Sequence, residues 1–136
     1  MCLNVITEYE KPEDKGIGWK VFIFDNKKYY TPVVSYMGGD ILEGNWAEDA
    51  HEYFIHIGTL SEPEDISKAK YHTGFHLFTK ESDAKDYRDF LRFGCPHLVV
   101  KKVEWAHKCA KGFIDGAEVV VTRFIKILED DTKGQT

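Results

Sequence analysis

The chain has few cysteines, few prolines and no long apolar run. Its three cysteines are odd in number and widely spaced, so they do not form the paired framework of a disulfide-stapled secreted domain, and all three are expected to be thiols. No apolar segment approaches the roughly 20 residues of a membrane-spanning helix, and the N-terminus lacks the basic and apolar regions of a signal peptide. These absences predict a cytoplasmic protein without a membrane anchor.

Neither sign of charge dominates the chain. The 18 Lys and Arg residues are interspersed among 23 Asp and Glu residues, for a formal net charge of −5. Non-specific DNA binding needs a net basic surface and is therefore not expected. Aromatic residues, in contrast, make up 14% of the chain and can bury much area. We predict a single folded domain at residues 1–128 and a polar C-terminal tail at residues 129–136.

Runs of β-branched and aromatic residues indicate several strands. Residues 19–24 (WKVFIF) and 29–34 (YYTPVV) flank a turn and predict a β-hairpin, with 19–24 as a central strand. Residues 98–105 and 117–128 predict a second antiparallel pair, separated by a loop around Lys111-Gly112 and Asp115-Gly116. Residues 8–18 contain proline and two glycines and are predicted to be a loop.

One principal helix is predicted from about residue 79 to residue 93. Thr79 or Ser82 would cap its start, and its apolar positions include Ala84, Tyr87 and Phe90. Together with the strands, this helix predicts an α+β fold with a mixed or antiparallel sheet of about five to six strands.

Cys2 follows the initiator methionine directly. Removal of that methionine would leave an N-terminal cysteine whose α-amine acts as its own base, which is the chemistry of N-terminal nucleophile hydrolases. The alternative is a small residue that packs at the start of the first strand.

His72 and His76 flank Gly74 on a predicted strand that leads into the helix. On a strand these three residues share one face, and a histidine beside a glycine can meet a ligand that approaches the backbone. The N–H groups of the helix start would favour an anionic or polar ligand there. The predicted ligand-binding residues of this junction are Tyr71, His72, His76 and Thr79. The alternative is that the histidines are hydrogen-bonded structural residues and that the first-turn carboxylates satisfy the helix dipole.

Two Cys/His pairs, at residues 95–97 and 107–109, carry the ligand types that zinc prefers. An extended strand between them, at about 3.3 Å per residue, would hold the pairs roughly 25 Å apart, which is too far for one tetrahedral site. No glycine-rich nucleotide motif is present either. We therefore expect neither a metal nor another cofactor.

Several short motifs resemble those of a group of small uncharacterised proteins of bacteriophages and bacteria. They are the MCL start, the WKVF strand at residues 19–22, and the block GFHLF at residues 74–78 followed by Asp83 and Ala84. This resemblance implies no activity.

More distantly, residues 74–79 and the helix that follows are similar to the second motif of ADP-ribosyltransferase-like domains. That resemblance implies a catalytic glutamate on a later strand, for which Glu118 is the candidate, acting with His76. The chain has Lys20 and Phe22 where that superfamily carries a His or Arg.

The preferred prediction is a small phage-type binding protein that acts in the host cytoplasm. Its partner would be a host protein or a nucleotide-like small ligand, and inhibition of a host system is one form that this binding would take. Aromatic residues at predicted loops and edges, such as Trp46, Tyr36 and Tyr71, would supply the surface. The alternative class is an enzyme, either ADP-ribosyltransferase-like with Glu118 and His76 or an N-terminal-cysteine hydrolase with Cys2.

Overall fold

The structure is a computed structural model that describes residues 3–25, 28–30, 41–49, 54–56, 70–91 and 97–128. These residues form nine strands and one helix. The elements are β1 (Val5–Glu8), β2 (Lys11–Asp25), β3 (Lys28–Tyr30), β4 (Trp46–Glu48), β5 (Phe54–His56), β6 (Lys70–His72), β7 (Phe75–Phe78), α1 (Glu81–Leu91), β8 (Leu98–Ile114) and β9 (Ala117–Ile127). Within these residues, no helix is long and apolar enough to cross a membrane. The predicted tail at residues 129–136 lies outside them.

The fold is mostly β, so the prediction of an α+β domain with five to six strands is wrong. Strands make up 69% of the described residues, and seven of them form one antiparallel sheet. The helix begins at Glu81 rather than at residue 79 and extends to Leu91, and its predicted end at residue 93 lies outside the described residues. Two strands that are longer than predicted account for most of the additional β-structure. β2 begins at Lys11, within the predicted loop, and β8 continues through Gly112 to Ile114. The polar residues at the start of β2 are mostly exposed along the strand, which is why their sequence resembles that of a loop.

Four strands of the sheet close into a ring. β8 pairs with β2 along one edge and with β9 along the other. β9 pairs with β7, and β7 returns to β2 where Phe78 lies opposite Trp19. The other strands extend the sheet, with β1 on β8, β3 on β2 and β4 on β9. β5 and β6 form a separate two-stranded sheet.

Both predicted antiparallel pairings are confirmed for the described residues, and residues 31–34 of the first predicted hairpin lie outside them. β2 pairs with β3 from Ile23 opposite Tyr30, and β2 has partners on both edges, as predicted for a central strand. β8 and β9 are joined at Asp115 and Gly116, which have φ angles of 49° and 87°. Two successive residues at positive φ match the right-handed twist of the strands they join, and an Asp-Gly pair favours that turn.

Alternation along the strands divides the apolar residues between the two faces of the sheet. The first cluster, here the sheet core, contains Phe22, Tyr29, Ile41, Ala47, Phe75, Leu77, Val103, Val120, Ile125 and Ile127. The second, here the helix core, contains Leu3, Tyr71, Phe78, Ala84, Cys109, Ala110, Val119 and Val121. On β7, for example, Leu77 belongs to the sheet core and Phe78 to the helix core, as the period of two requires.

Helix α1 packs on β2, β7 and β8. Ala84 is fully buried and Tyr87 packs beside it against the helix core. Phe90 was predicted to lie on the same apolar face, and this is wrong, because its exposure is 76%. At about 100° per residue, a side chain six positions after Ala84 points roughly 120° away from it.

Candidate functional site

The structure brings the predicted site residues together as two separate pairs. Tyr71 Oη and His76 Nε2 lie 2.9 Å apart. Thr79 Oγ1 donates to Glu118 Oε1, also at 2.9 Å. The third candidate catalytic residue, Cys2, and the aromatic candidate Tyr36 lie outside the described residues.

Tyr71 and His76 form a buried hydrogen-bonded chain with the start of the protein. The Leu3 N–H donates to Tyr71 Oη at 3.0 Å, and the Tyr71 hydroxyl donates to His76 Nε2, because the only proton of the neutral His76 ring is on Nδ1. His76 Nδ1 then donates to the carbonyl oxygen of Gly74 at 3.1 Å. Burial, together with the charge of Lys20, lowers the pKa of His76 to about 3. His76 is therefore neutral at physiological pH, with a hydrogen bond at each ring nitrogen.

The glycine in this segment is required by close packing. A Cβ on Gly74 would lie 2.4 Å from the backbone oxygen of Thr122. The neighbouring His72 directs Nδ1 to the carbonyl oxygen of Thr73 at 2.8 Å and is partly buried. His72 lies on β6 and His76 on β7, so the two histidines do not share one strand as predicted, and His72 Nδ1 contacts the local backbone.

A buried lysine adjoins the same pair. Lys20 Nζ donates to the backbone oxygen of His76 at 3.1 Å. Burial lowers the pKa of Lys20 to about 8, although the buried carboxylate of Asp49 acts to raise it. The sequence analysis did not single out either residue as part of a polar cluster. The feature of the sequence that could have indicated this cluster is Lys20 itself, because it is a single charge within the apolar strand WKVFIF.

Thr79 and Glu118 belong to a partly exposed network of charges. Lys111 Nζ lies 3.8 Å from Glu118 Oε2 and 3.7 Å from Glu8 Oε2. Thr79 also continues the β7 ladder, because its N–H donates to the Glu118 carbonyl oxygen at 3.2 Å. The network therefore links β1, β8 and β9 to the residue after β7.

Lys108 extends this network into the protein. It pairs with Glu8 and, at 2.9 Å, with Asp14, although its own side chain is almost fully buried. Burial acts to lower the pKa of Lys108, but hydrogen bonds to the two carboxylates outweigh burial and raise it. The same hydrogen bonds lower the pKa values of Glu8 and Asp14. All three groups are thus charged at neutral pH.

The structure does not bring His76 and Glu118 together. In the β7–β9 pairing, His76 lies opposite Val121 and Phe78 lies opposite Val119. Because side chains alternate, Glu118 projects from the face opposite to Val119, and hence opposite to His76. In the described part of the chain, no group of three or more His, Cys, Asp or Glu residues is placed to hold a metal ion.

A different surface presents two of the large exposed apolar side chains, Trp46 and Ile17. It lies on the helix-core face of the sheet, beyond the area that α1 covers, and crosses β2, β8, β9 and β4. We call it the outer strip, and by strand register it contains Lys15, Ile17, Lys102, Glu104, Ala106, Phe124, Lys126, Trp46 and Glu48, with Arg123 beside them. Trp46 is 49% exposed and Ile17 is 43% exposed. Of the three aromatic candidates, Trp46 is thus at a sheet edge, as predicted, whereas Tyr71 is buried.

Two cations of the outer strip, Arg123 and Lys126, lie between aromatic rings and carboxylates. Lys126 Nζ lies 5.2 Å from the centre of the Trp46 ring and 3.4 Å from Glu104 Oε1. The second such group has the Arg123 guanidinium 5.8 Å from the ring of Phe124 and its Nε 2.7 Å from Glu48 Oε2. Cation–ring contacts of this kind orient both partners. The arrangement presents flat apolar rings in a rim of paired charge.

Comparisons of the chain with protein-family models, with curated proteins and with solved structures found no match. The resemblance to small phage and bacterial proteins, and the more distant one to ADP-ribosyltransferase-like domains, therefore stay predictions.

Proposed function

We propose that this is a phage-type binding protein that acts in the host cytoplasm on a host protein, and that the outer strip is its docking surface. The observation that supports this is the exposure of Trp46 and Ile17 on a sheet face that also presents Phe124 and paired cations. Exposed apolar groups with a polar rim are typical of interaction sites. Trp and Arg are also the residues that contribute most to binding at protein interfaces.

A protein partner is favoured over a nucleotide-like ligand by the pairing of the two cations that lie beside the aromatic rings of the strip. A nucleotide needs cations that are available to its phosphates. Arg123 and Lys126 are already paired with Glu48 and Glu104, and those carboxylates would repel a phosphate. An enzyme that uses His76 with Glu118 is not favoured, because the two side chains lie on opposite faces of the sheet.

The proposal can be tested by affinity capture from host lysate with a double variant of the strip, Trp46→Ala with Phe124→Ala. Phe113→Ala is the matched control, since Phe113 is another part-exposed aromatic residue, 36% exposed, at the far end of the β8–β9 hairpin. A protein held by the wild type and the control but not by the double variant would then be purified and titrated calorimetrically. We expect at least a tenfold loss of affinity, or about 1.4 kcal/mol, for the double variant.

Two results would contradict the proposal. One is an identified partner that binds the double variant as tightly as it binds the wild type, while circular dichroism shows the same fold. The other is calorimetric binding of ATP or NAD that Trp46→Ala abolishes, since that result would make the strip a nucleotide site.

A further inference from the structure

Helix α1 and the outer strip lie side by side on one face of the sheet. Along β2, Trp19 packs against the helix core, and Ile17, two residues earlier on the same face, is already in the strip. Along β8, Val100 packs against the helix core and Lys102 is exposed. Helix α1 therefore covers one part of this face of the sheet and leaves the neighbouring outer strip uncovered.

The outward side of α1 is apolar at one point and acidic around it. Phe90 is the most exposed large apolar side chain of the described residues, at 76%. Asp86 and Asp89 are exposed and lie four residues and one residue before it. The helix as a whole carries four carboxylates and two cations.

The outer strip has the opposite charge. It contains four cations, Lys15, Lys102, Arg123 and Lys126, and two carboxylates, Glu48 and Glu104, in a chain whose net charge is −5. The outer strip is also about as long as helix α1. Eleven helical residues extend about 16 Å, and four neighbouring strands span about 14 Å from first to last.

We propose that the outer strip binds a second copy of this chain, in a two-fold dimer in which α1 of each copy lies on the strip of the other. This inference rests on the proposed function, because it uses the same docking surface. The two-fold axis makes each contact twice, so both exposed Phe90 rings lie against the Trp46 and Ile17 side chains of the opposite copy. Asp86 and Asp89 then face the cations of the strip. Dimerisation and binding of a host protein at the strip exclude each other.

The mass in solution and a charge-reversal pair test the dimer. Sedimentation equilibrium of the wild type should give twice the chain mass of 15.7 kDa. The helix variant, Asp86→Lys with Asp89→Lys, places cations against cations and should be monomeric. The strip variant, Lys102→Glu with Lys126→Glu, places carboxylates against carboxylates and should also be monomeric. An equal mixture of the two should form a heterodimer, because both of its contacts again pair opposite charges.

Phe90→Ser provides a readout that does not depend on charge. Because the ring is exposed in one copy, the substitution should leave the melting of the monomer unchanged and weaken dimerisation at least tenfold. A wild type that stays monomeric at all concentrations, or a dimer that none of these variants weakens, would overturn the inference. If a monomeric wild type still loses an identified host protein on Trp46→Ala with Phe124→Ala, the dimer is wrong and the proposed function stands. A strip-dependent dimer without any strip-dependent host protein supports the dimer and contradicts the host-binding function.

Discussion

Lys20 should make the stability of the protein rise with pH. Its pKa is about 8 in the folded protein, compared with 10.5 for an ordinary lysine, because the ammonium group is buried. The folded state therefore binds the Lys20 proton less tightly than the unfolded state does, and protonation favours unfolding. The free energy of unfolding should accordingly increase with pH across the interval between these two pKa values.

The size of the effect follows from the two pKa values. From about pH 7.5 to about pH 9.5, the Lys20 contribution to the free energy of unfolding should rise by about 2 kcal/mol. Lys20→Met removes the titration and keeps a side chain of similar length, so the variant should lack this rise. The Nζ donor to the His76 carbonyl is also lost, which shifts the stability of the variant by a similar amount at every pH.

Urea unfolding of both proteins, at several pH values across this range, measures the effect. The informative quantity is the difference between wild type and Lys20→Met at each pH, since the titration of all other groups is common to both. Parallel stability curves would refute the reasoning, because they would mean that Lys20 titrates at its ordinary pKa and is reached by water. A difference that falls with pH would contradict the sign of the predicted shift.

Three further substitutions test other parts of the structure. Gly112→Ala should lower the free energy of unfolding, measured with urea, by about 1–3 kcal/mol, because the new Cβ would lie 1.8 Å from the Val5 carbonyl oxygen and displace β1; an unchanged free energy of unfolding would contradict this packing. Tyr71→Phe leaves His76 Nε2 without its donor and should cost about 1–3 kcal/mol in the same assay, and a loss near zero would mean that the buried chain is not formed. Lys108→Met should flatten the loss of thermal stability from about pH 6 to about pH 3, since Lys108 holds down the pKa values of its two carboxylate partners; their contribution is present above the unfolded pKa and lost as the pH falls. Equal acid sensitivity of variant and wild type would refute that role.

The parts of the fold that could be predicted from sequence are those set by neighbouring residues. The Asp115-Gly116 turn and the valine-rich strand after it predict a hairpin, and the structure has one. The lengths of β2 and β8 were not predictable in this way. Lys11 lies opposite Lys108 and Gly112 lies opposite Ile6, so each residue is held in a strand by a distant partner rather than by its own propensity.

The candidate site likewise contains residues that are close in sequence and residues that only the fold brings together. Tyr71 and His76 are five residues apart, and their place in the short segment before the helix was enough to associate them. Alternation along a single strand would put them on opposite faces, and the break between β6 and β7 brings their side chains together. The outer strip combines residues from four strands that are spread between positions 15 and 126. Only the register of those strands places Trp46 beside Lys126, and no short motif carries that information.

The closed ring has a consequence for how the chain is made. β2 is synthesised early, but its partners in the ring are Phe78 and residues 98–108. Until these residues leave the ribosome, β3 is the one partner of β2 among the described strands, and the central stretch of β2 from Trp19 to Phe22 lacks its partners from β7 and β8 on both edges. The β8–β9 hairpin, whose two strands are joined by a two-residue turn, can form as soon as it emerges. Ring closure is then the late step, and until it occurs we expect the unpaired edges of β2 to favour aggregation of the nascent protein.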